Sequence, residues 1–165
     1  MELLQYDQLN QLCLNVINLS ASFYRKYNWY YNLLYLTGCR PSEPLNLDSW
    51  SFVSPSLIRL NPLKNNNPRF FDPGLLPGVF VESIASYDPL LTPSNLSALN
   101  TAFKLLNTPG KVYTASDFAG MYVFRYRYVR YLLIQGMNME EIKSHMGWHS
   151  VSMAESYATK PLFRH

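Results

Sequence analysis

The chain has 165 residues, of which 48% are hydrophobic and 15% are charged, a composition that excludes a disordered polypeptide. Its length predicts one domain that buries a sizeable core. The net charge of +3, from 14 Lys and Arg against 11 Asp and Glu, is too small to establish a nucleic-acid partner by itself.

Two helices are predicted at the start of the chain. Apolar side chains recur at near-helical spacing over residues 1–19, which predicts an amphipathic helix. A second helix is predicted over residues 22–36 and is ended by Gly38, because glycine readily takes the left-handed conformation after a helix. Pro41 and Pro44 then permit no more than a short helical turn.

Three short strands are predicted next. Residues 50–53 and 57–60 are rich in strand-forming side chains. The turn signal Asn65-Asn66-Asn67-Pro68 lets residues 69–71 return as a third strand. Residues 72–78 hold two prolines and two glycines, which predicts a loop.

The rest of the chain predicts helices, at residues 81–86, 93–106, about 117–135 and 139–146, with a last short helix that carries Tyr157. Ser116 or Asp117 would cap the third of these helices. No internal repeat or linker is evident. We therefore predict a single α+β domain over residues 1–165, mostly helical, with a small three-stranded antiparallel sheet near its first third.

The two cysteines, Cys13 and Cys39, have neither metal-binding spacing nor the pattern of a disulfide framework. They are interpreted as buried apolar residues of a protein in a reducing compartment. No signal peptide and no apolar run of membrane length is evident. We therefore expect a cytoplasmic protein, intracellular and without a membrane partner.

The basic residues are unevenly distributed along the chain. Between Lys104 and Arg130 there are five basic side chains and one acidic one, Asp117. A locally positive face can contact phosphates even when the whole chain is nearly neutral.

Several residues suited to phosphodiester chemistry occur in a definite order. They are Arg40 within Thr37-Gly38-Cys39-Arg40-Pro41-Ser42-Glu43, Lys64 before the Asn-rich turn, Tyr122-Val123-Phe124-Arg125, Gly147-Trp148, and Tyr157. Arginine binds phosphate through two parallel hydrogen bonds, a lysine can protonate a leaving oxygen, and a tyrosine can attack phosphorus. No acidic cluster suited to Mg²⁺ is present, so we expect neither a metal nor a cofactor.

The histidines near the end of the chain do not predict a zinc site. His145 and His149 have a spacing that can bind zinc on a helix, but Gly147 breaks that helix and no third ligand is evident nearby.

This ordered set resembles the catalytic domain of the tyrosine recombinases, the phage-integrase family, over roughly residues 23–157. The resemblance implies that Arg40 and Arg125 bind the scissile phosphate and that Glu43 supports them from behind. It further implies that Tyr157 is the nucleophile that attacks the scissile phosphate and that Lys64 protonates the leaving 5′ oxygen of the DNA strand.

The chain departs from the family pattern at two positions. Tyr122 stands where the family usually has the first histidine of His-x-x-Arg, as in variants among archaeal plasmid and virus integrases. Trp148 stands where the family usually has a second histidine, and its indole N–H can still donate one hydrogen bond. A phenol is no near-neutral base, so Tyr122 is expected to position the phosphate by hydrogen bonding.

The segment from Phe124 to Arg130 contains three arginines, and each could be aligned with the second arginine of the family pattern. Arg125 is chosen because Gly136 follows it by eleven residues and Gly147 follows Gly136 by eleven, which matches the family's helix ends. Arg127 and Arg130, together with Arg69, are then expected to contact the DNA backbone or solvent.

By this resemblance the protein is a site-specific DNA recombinase or integrase of a virus or plasmid that forms a 3′-phosphotyrosine. Its partners would be double-stranded DNA and further copies of itself, as a tetramer on two duplexes. The family's usual N-terminal DNA-clamping domain is expected to be absent. Because both histidines are replaced, a non-catalytic DNA-binding or assembly module remains the alternative, and a topoisomerase-like or resolvase-like outcome would use the same chemistry.

Overall fold

The computed structural model describes residues 6–45, 50–54, 56–61, 68–72, 96–107 and 120–160. In chain order its elements are α1 (Tyr6–Phe23), α2 (Arg25–Thr37), β1 (Trp50–Ser54), β2 (Leu57–Leu60), β3 (Arg69–Phe71), α3 (Leu96–Asn107), α4 (Val123–Ile134), α5 (Met139–Met146) and α6 (Val151–Thr159). Short 3₁₀ turns occupy Glu43–Leu45 and Gly120–Tyr122. The predicted α+β class, mostly helical, is confirmed.

The three strands form one antiparallel sheet in the order β1-β2-β3, as predicted. Side chains alternate between the two faces of a strand, so a single register decides which residues enter the core. Ile58 lies opposite Phe71, and Leu60 lies opposite Arg69, and all four side chains are buried. The sheet therefore presents an arginine to the interior, while Phe70 between its two buried neighbours is exposed.

Helix α2 is the centre of the molecule, because ten of its 13 residues are buried. It packs against both α1 and α4. Its buried Asn28, Asn32 and Thr37 side chains each donate a hydrogen bond, as most buried polar groups do. The Asn28 side-chain amide donates to the Ile17 carbonyl at 2.8 Å and to the Ser20 hydroxyl at 2.8 Å, which joins α2 to the end of α1.

The boundary between the first two helices differs from the prediction. Helix α1 continues to Phe23, beyond the predicted end at residue 19, and α2 begins at Arg25 rather than at residue 22. The segment contains neither glycine nor proline, so nothing local stops α1. Tyr24 alone leaves the helical conformation, with φ −139°.

Some predicted elements lie outside the described residues. These are the helix at residues 81–86, residues 1–5 of the first helix, residues 93–95 of the next and residues 117–119 of the one after. In the described part, the segment after residue 119 begins with the 3₁₀ turn Gly120–Tyr122, and the regular helix α4 starts only at Val123.

The end of α2 is held in one conformation. Gly38 has φ 62°, as predicted for a residue that ends a helix, and its N–H donates to the Leu34 carbonyl at 2.9 Å. The buried Tyr30 hydroxyl donates to the Pro41 carbonyl at 2.6 Å, which ties the chain after the helix back to its middle. The segment between Gly38 and Pro41, which contains Arg40, is thereby fixed at both ends.

Candidate active site

The first part of the site is the loop that follows α2. Arg40 is partly exposed there, and its carbonyl accepts a hydrogen bond from the Glu43 N–H at 3.0 Å, which begins the 3₁₀ turn. Glu43 itself is only 3% exposed. The turn from Arg40 to Glu43 thus brings a partly exposed arginine and a buried glutamate into the same short segment.

Helix α4 supplies the second arginine. Arg125 is buried, and its Nη1 donates to the Gly38 carbonyl at 3.2 Å. Its Nε has no hydrogen-bond partner among the described residues. The side chain therefore reaches from α4 to the loop that carries Arg40.

Trp148 is positioned by the end of α5. That helix starts with a capping box formed by Asn138 and Glu141 and ends at Gly147, which has φ 73°. The backbone N–H of Trp148 then donates a hydrogen bond to the Lys143 carbonyl at 2.9 Å. The indole is buried, and its Nε1 has no hydrogen-bond partner among the described residues.

Tyr157 lies on α6 directly against these groups. Its ring stacks on the Trp148 ring at 5.2 Å between centroids, with an interplanar angle of 15°. The Arg125 guanidinium carbon is 5.1 Å from the Trp148 ring centre and 5.3 Å from the Tyr157 ring centre. Tyr126 contacts the Tyr157 ring at 4.7 Å. The residues numbered 125, 148 and 157 thus form one contiguous group.

Arg40 and Arg125 both act electrostatically on the Tyr157 and Glu43 side chains. Burial raises the pKa of the Tyr157 phenol, and both Arg125 and Arg40 act in the opposite direction. Burial likewise raises the pKa of the Glu43 carboxyl, and Arg125, Arg69 and Arg40 lower it. Because Tyr157 and Glu43 each experience both Arg40 and Arg125, all four side chains share one region.

Tyr122 and Lys64 complete the predicted set. Tyr122 lies in the 3₁₀ turn before α4 and is 39% exposed. Its phenol acts to raise the pKa of Tyr157, although burial is the larger cause, so Tyr122 lies near the nucleophile candidate. Lys64 lies outside the described residues.

The three arginines expected to contact DNA lie in the interior instead, each no more than 6% exposed; they are Arg69, Arg127 and Arg130. Each donates to a carbonyl of its own chain, of Thr37, Tyr35 and Lys160 respectively. Because all three are buried and bonded within the chain, nothing in the described structure supports the expected contact with the DNA backbone at these positions. The alternation of arginine with tyrosine along α4 could have indicated this burial, because aromatic rings can cover buried guanidinium groups.

His145 has a role that the sequence did not indicate. Its Nε2 is 2.7 Å from the Tyr128 hydroxyl, and its ring packs edge-on against Phe71. Burial, together with the positive charge of Arg69, lowers the pKa of His145 to about 4. Among the described residues, no group of three His, Cys, Asp or Glu side chains is placed to hold a metal ion.

The cysteine thiols are enclosed, and burial raises the pKa of both Cys13 and Cys39 to about 12. None of the helices in the described ranges is both long and apolar enough to span a bilayer.

This mostly helical α+β arrangement with its small three-stranded sheet resembles the fold of a tyrosine recombinase catalytic domain. Among solved structures, the chain resembles the crystal structure of XerA recombinase, with a TM-score of 0.68 and 16% sequence identity. The match covers 92% of this chain and 58% of the XerA recombinase chain, so this protein spans little more than half of that length. No protein-family model matches the sequence, and neither does any curated protein. At this identity the likeness shows the fold.

Proposed function

We propose that the protein is a site-specific DNA recombinase that cleaves and rejoins DNA through a covalent 3′-phosphotyrosine. The observation that supports this most strongly is the position of the Arg125 guanidinium, 5.3 Å from the Tyr157 ring, in a region that Arg40 shares. A phosphodiester bound by both arginines would have its two non-bridging oxygens neutralised next to a tyrosine hydroxyl.

In the proposed cleavage step, the Tyr157 oxygen attacks phosphorus and the bond from phosphorus to the 5′ oxygen breaks. Burial raises the pKa of this phenol, so it is protonated at neutral pH and gives its proton to solvent water as the new bond forms. Lys64 would give a proton to the departing 5′ oxygen, as the family resemblance implies. The products are a 3′-phosphotyrosine and a free 5′-hydroxyl.

The proposed rejoining step reverses the first. A 5′-hydroxyl from the partner duplex attacks the phosphotyrosine, and the Tyr157 oxygen recovers its proton. Each step exchanges one phosphoester bond for another, so the two steps need neither an external energy source nor a metal ion. Two duplexes must be held together for this exchange, for which we propose a homotetramer on double-stranded DNA.

Trp148 would contribute one further hydrogen bond. Its indole N–H is buried and without a partner in the described part of the chain, and such a donor is costly to leave unsatisfied. A non-bridging phosphate oxygen held by Arg125 would lie close to the indole, because the guanidinium carbon is 5.1 Å from that ring. The stacked Trp148 ring would also fix the orientation of Tyr157.

A non-catalytic DNA-binding or assembly module is the second candidate. Two observations favour it. Tyr122 and Trp148 replace both family histidines, and Tyr122 is exposed. The same arginines would then hold a DNA phosphate without cleavage.

A covalent-capture experiment distinguishes the two candidates. The protein is incubated with a pool of randomised DNA duplexes that carry a nick, so that the short cleaved strand diffuses away and the phosphotyrosine persists. Denaturing electrophoresis then reveals any protein–DNA adduct, and sequencing identifies the preferred site. We expect an adduct with the unmodified protein, none with Tyr157→Phe, and a strongly reduced yield with Arg40→Ala.

The matched control is Tyr126→Phe, which removes the hydroxyl of the tyrosine packed against Tyr157. This variant should retain adduct formation. An adduct that persists in Tyr157→Phe would refute the assignment of the nucleophile. Retention of DNA without any adduct, across the whole pool, would favour the non-catalytic module.

A further inference from the structure

Arg69 is a buried cation whose position the proposed reaction does not by itself explain. It lies on β3, is 6% exposed, and faces the core opposite Leu60. Its guanidinium carbon is 4.8 Å from the Phe71 ring centre and 5.9 Å from that of Tyr128. Among the described residues no carboxylate forms a close ion pair with this guanidinium, and burial of such a charge is costly.

The carbonyl that Arg69 contacts indicates a role for this buried charge. Its Nη2 donates to the Thr37 carbonyl, and Arg125 donates to the very next one, that of Gly38, at 3.2 Å. Two buried arginines from separate elements therefore hold consecutive carbonyls. The Cys39 N–H is fixed as well, by the Thr37 hydroxyl at 3.2 Å. Arg40 is the next residue in the chain.

The same cluster extends to the other side of the site. The Tyr128 ring covers Arg69 and Gly38, and the Tyr128 hydroxyl is 2.7 Å from His145 Nε2. His145 lies three residues before Trp148, at the end of α5. Arg69 thus lies at the junction of the loop that carries Arg40 and the helix that leads to Trp148.

Arg69 also contributes charge. The Glu43 carboxyl experiences three guanidinium groups, those of Arg125, Arg69 and Arg40. Three guanidinium groups and one carboxyl group leave these four side chains with a net positive charge whether or not Glu43 is ionised. An interior with this surplus favours an anion at its surface, because the low dielectric strengthens its field.

We propose that Arg69 is a positioning residue: it fixes the Thr37 carbonyl, and through it the orientation of Arg40, and adds positive potential behind the phosphate. The proposal rests on the proposed function, and Arg69 itself contacts neither substrate nor nucleophile. A displacement of about 1 Å at a catalytic group can reduce a rate about a hundredfold, so a residue that only orients Arg40 can have a large effect.

The test compares Arg69→Met with Arg127→Met and Arg69→Lys. Arg127 is the matched control because it is also buried and also donates to a carbonyl of α2, that of Tyr35 at 3.1 Å. The first readout is amide hydrogen exchange at Gly38 and Cys39, referenced to the global stability of each variant. We expect about tenfold faster local exchange in Arg69→Met, equivalent to the loss of one charged hydrogen bond, and no local change in Arg127→Met.

The second readout is adduct yield per folded protein with the nicked duplex pool. Arg69→Met should reduce it about a hundredfold, Arg127→Met should not, and Arg69→Lys should recover part of the loss because it keeps the charge and one donor. If Arg69→Met does not fold, Arg69→Lys still gives both readouts. Equal exchange and equal yield in the Arg69 variants and in Arg127→Met would overturn the proposal.

The two proposals fail separately. Faster exchange at Gly38 and Cys39 without any adduct from the unmodified protein would support the positioning role and refute the recombinase function. A normal adduct from the unmodified protein, together with unchanged exchange in both Arg69 variants, would refute the positioning role alone.

Discussion

The guanidinium carbon of Arg125 lies 5.3 Å from the centre of the Tyr157 ring, although 32 positions separate the two residues in the chain. The same guanidinium is 5.1 Å from the Trp148 ring, which stacks on Tyr157. A positive charge over an aromatic face is attractive, and this contact brings a guanidinium, a group able to bind phosphate, beside a phenol. The predictions below depend on this arrangement.

Replacement of Arg125 by lysine should abolish most adduct formation. Lysine keeps the charge but lacks the planar fork that can bind two phosphate oxygens, so we expect a loss of about a hundredfold. Covalent capture with the nicked duplex pool measures the effect. Arg127→Lys, at a buried arginine on the same helix, is the control and should lose far less. Equal losses in the two variants would contradict a specific role for Arg125.

Trp148→Phe should reduce adduct yield about tenfold, since it removes one hydrogen bond to a charged oxygen while it retains a ring against Tyr157. The control is Trp29→Phe, because Trp29 is a buried indole that stacks on Trp50 instead. Adduct yield per folded protein is again the measurement. An unchanged yield in Trp148→Phe would show that the indole N–H does not contact the phosphate.

Tyr122 tests the departure from the family's histidine. Tyr122→Phe removes only the hydroxyl of an exposed side chain and should reduce adduct yield about fivefold, the effect of one neutral hydrogen bond. Tyr122→His restores a donor and should equal or exceed the unmodified protein. If Tyr122→Phe has full activity, the hydroxyl has no part in binding the phosphate.

Gly38→Ala should destabilise the fold more than Gly136→Ala. Both glycines have positive φ, 62° and 93°, where any other residue is strained by about 1–2 kcal/mol. A Cβ on Gly38 would also lie 2.4 Å from Tyr128 Cδ1, whereas one on Gly136 would meet nothing within 4 Å. We expect about 1–3 kcal/mol of additional loss in Gly38→Ala, from overpacking. Urea unfolding of the two variants measures the difference, and similar midpoints would contradict the close approach of Tyr128.

His145 should make stability depend on pH. Its pKa is lowered from 6.5 to about 4, by burial and by Arg69, so below pH 6.5 the unfolded chain binds a proton that the folded protein does not. Stability should therefore fall between about pH 6.5 and 4, by up to about 3 kcal/mol. The other groups that face His145 are the Tyr128 hydroxyl from α4 and the Phe71 ring from β3.

The measurement is the free energy of unfolding of His145→Gln against pH, compared with His149→Gln at an exposed histidine. The decline should be smaller in His145→Gln and unchanged in His149→Gln. The raised pKa of Glu43 acts in the opposite sense near its own titration, but it is common to all three proteins and cancels in the comparison. Parallel curves for the unmodified protein and His145→Gln would refute the burial of a neutral histidine.

The sequence alone predicted the helices and strands that the structure describes, apart from some of their boundaries, and it fixes the order of the candidate residues. Gly38 and Gly147 ended helices as predicted, because a positive φ is a local property of glycine. The three strands were predicted from local composition and turn residues, and the sheet is present. Local rules did not find the junction at Tyr24, where α1 ends with neither glycine nor proline.

Only the tertiary structure decided which arginines are enclosed. Arg125, Arg127 and Arg130 lie on one helix, and all three are buried, yet only Arg125 reaches the Gly38 carbonyl and the Tyr157 ring. The position of Arg69 depends on the register of β3 against β2, which faces it toward the Thr37 carbonyl. Burial of a side chain and its distance from groups far along the chain depend on how the helices and the sheet pack together, and no local pattern records that packing.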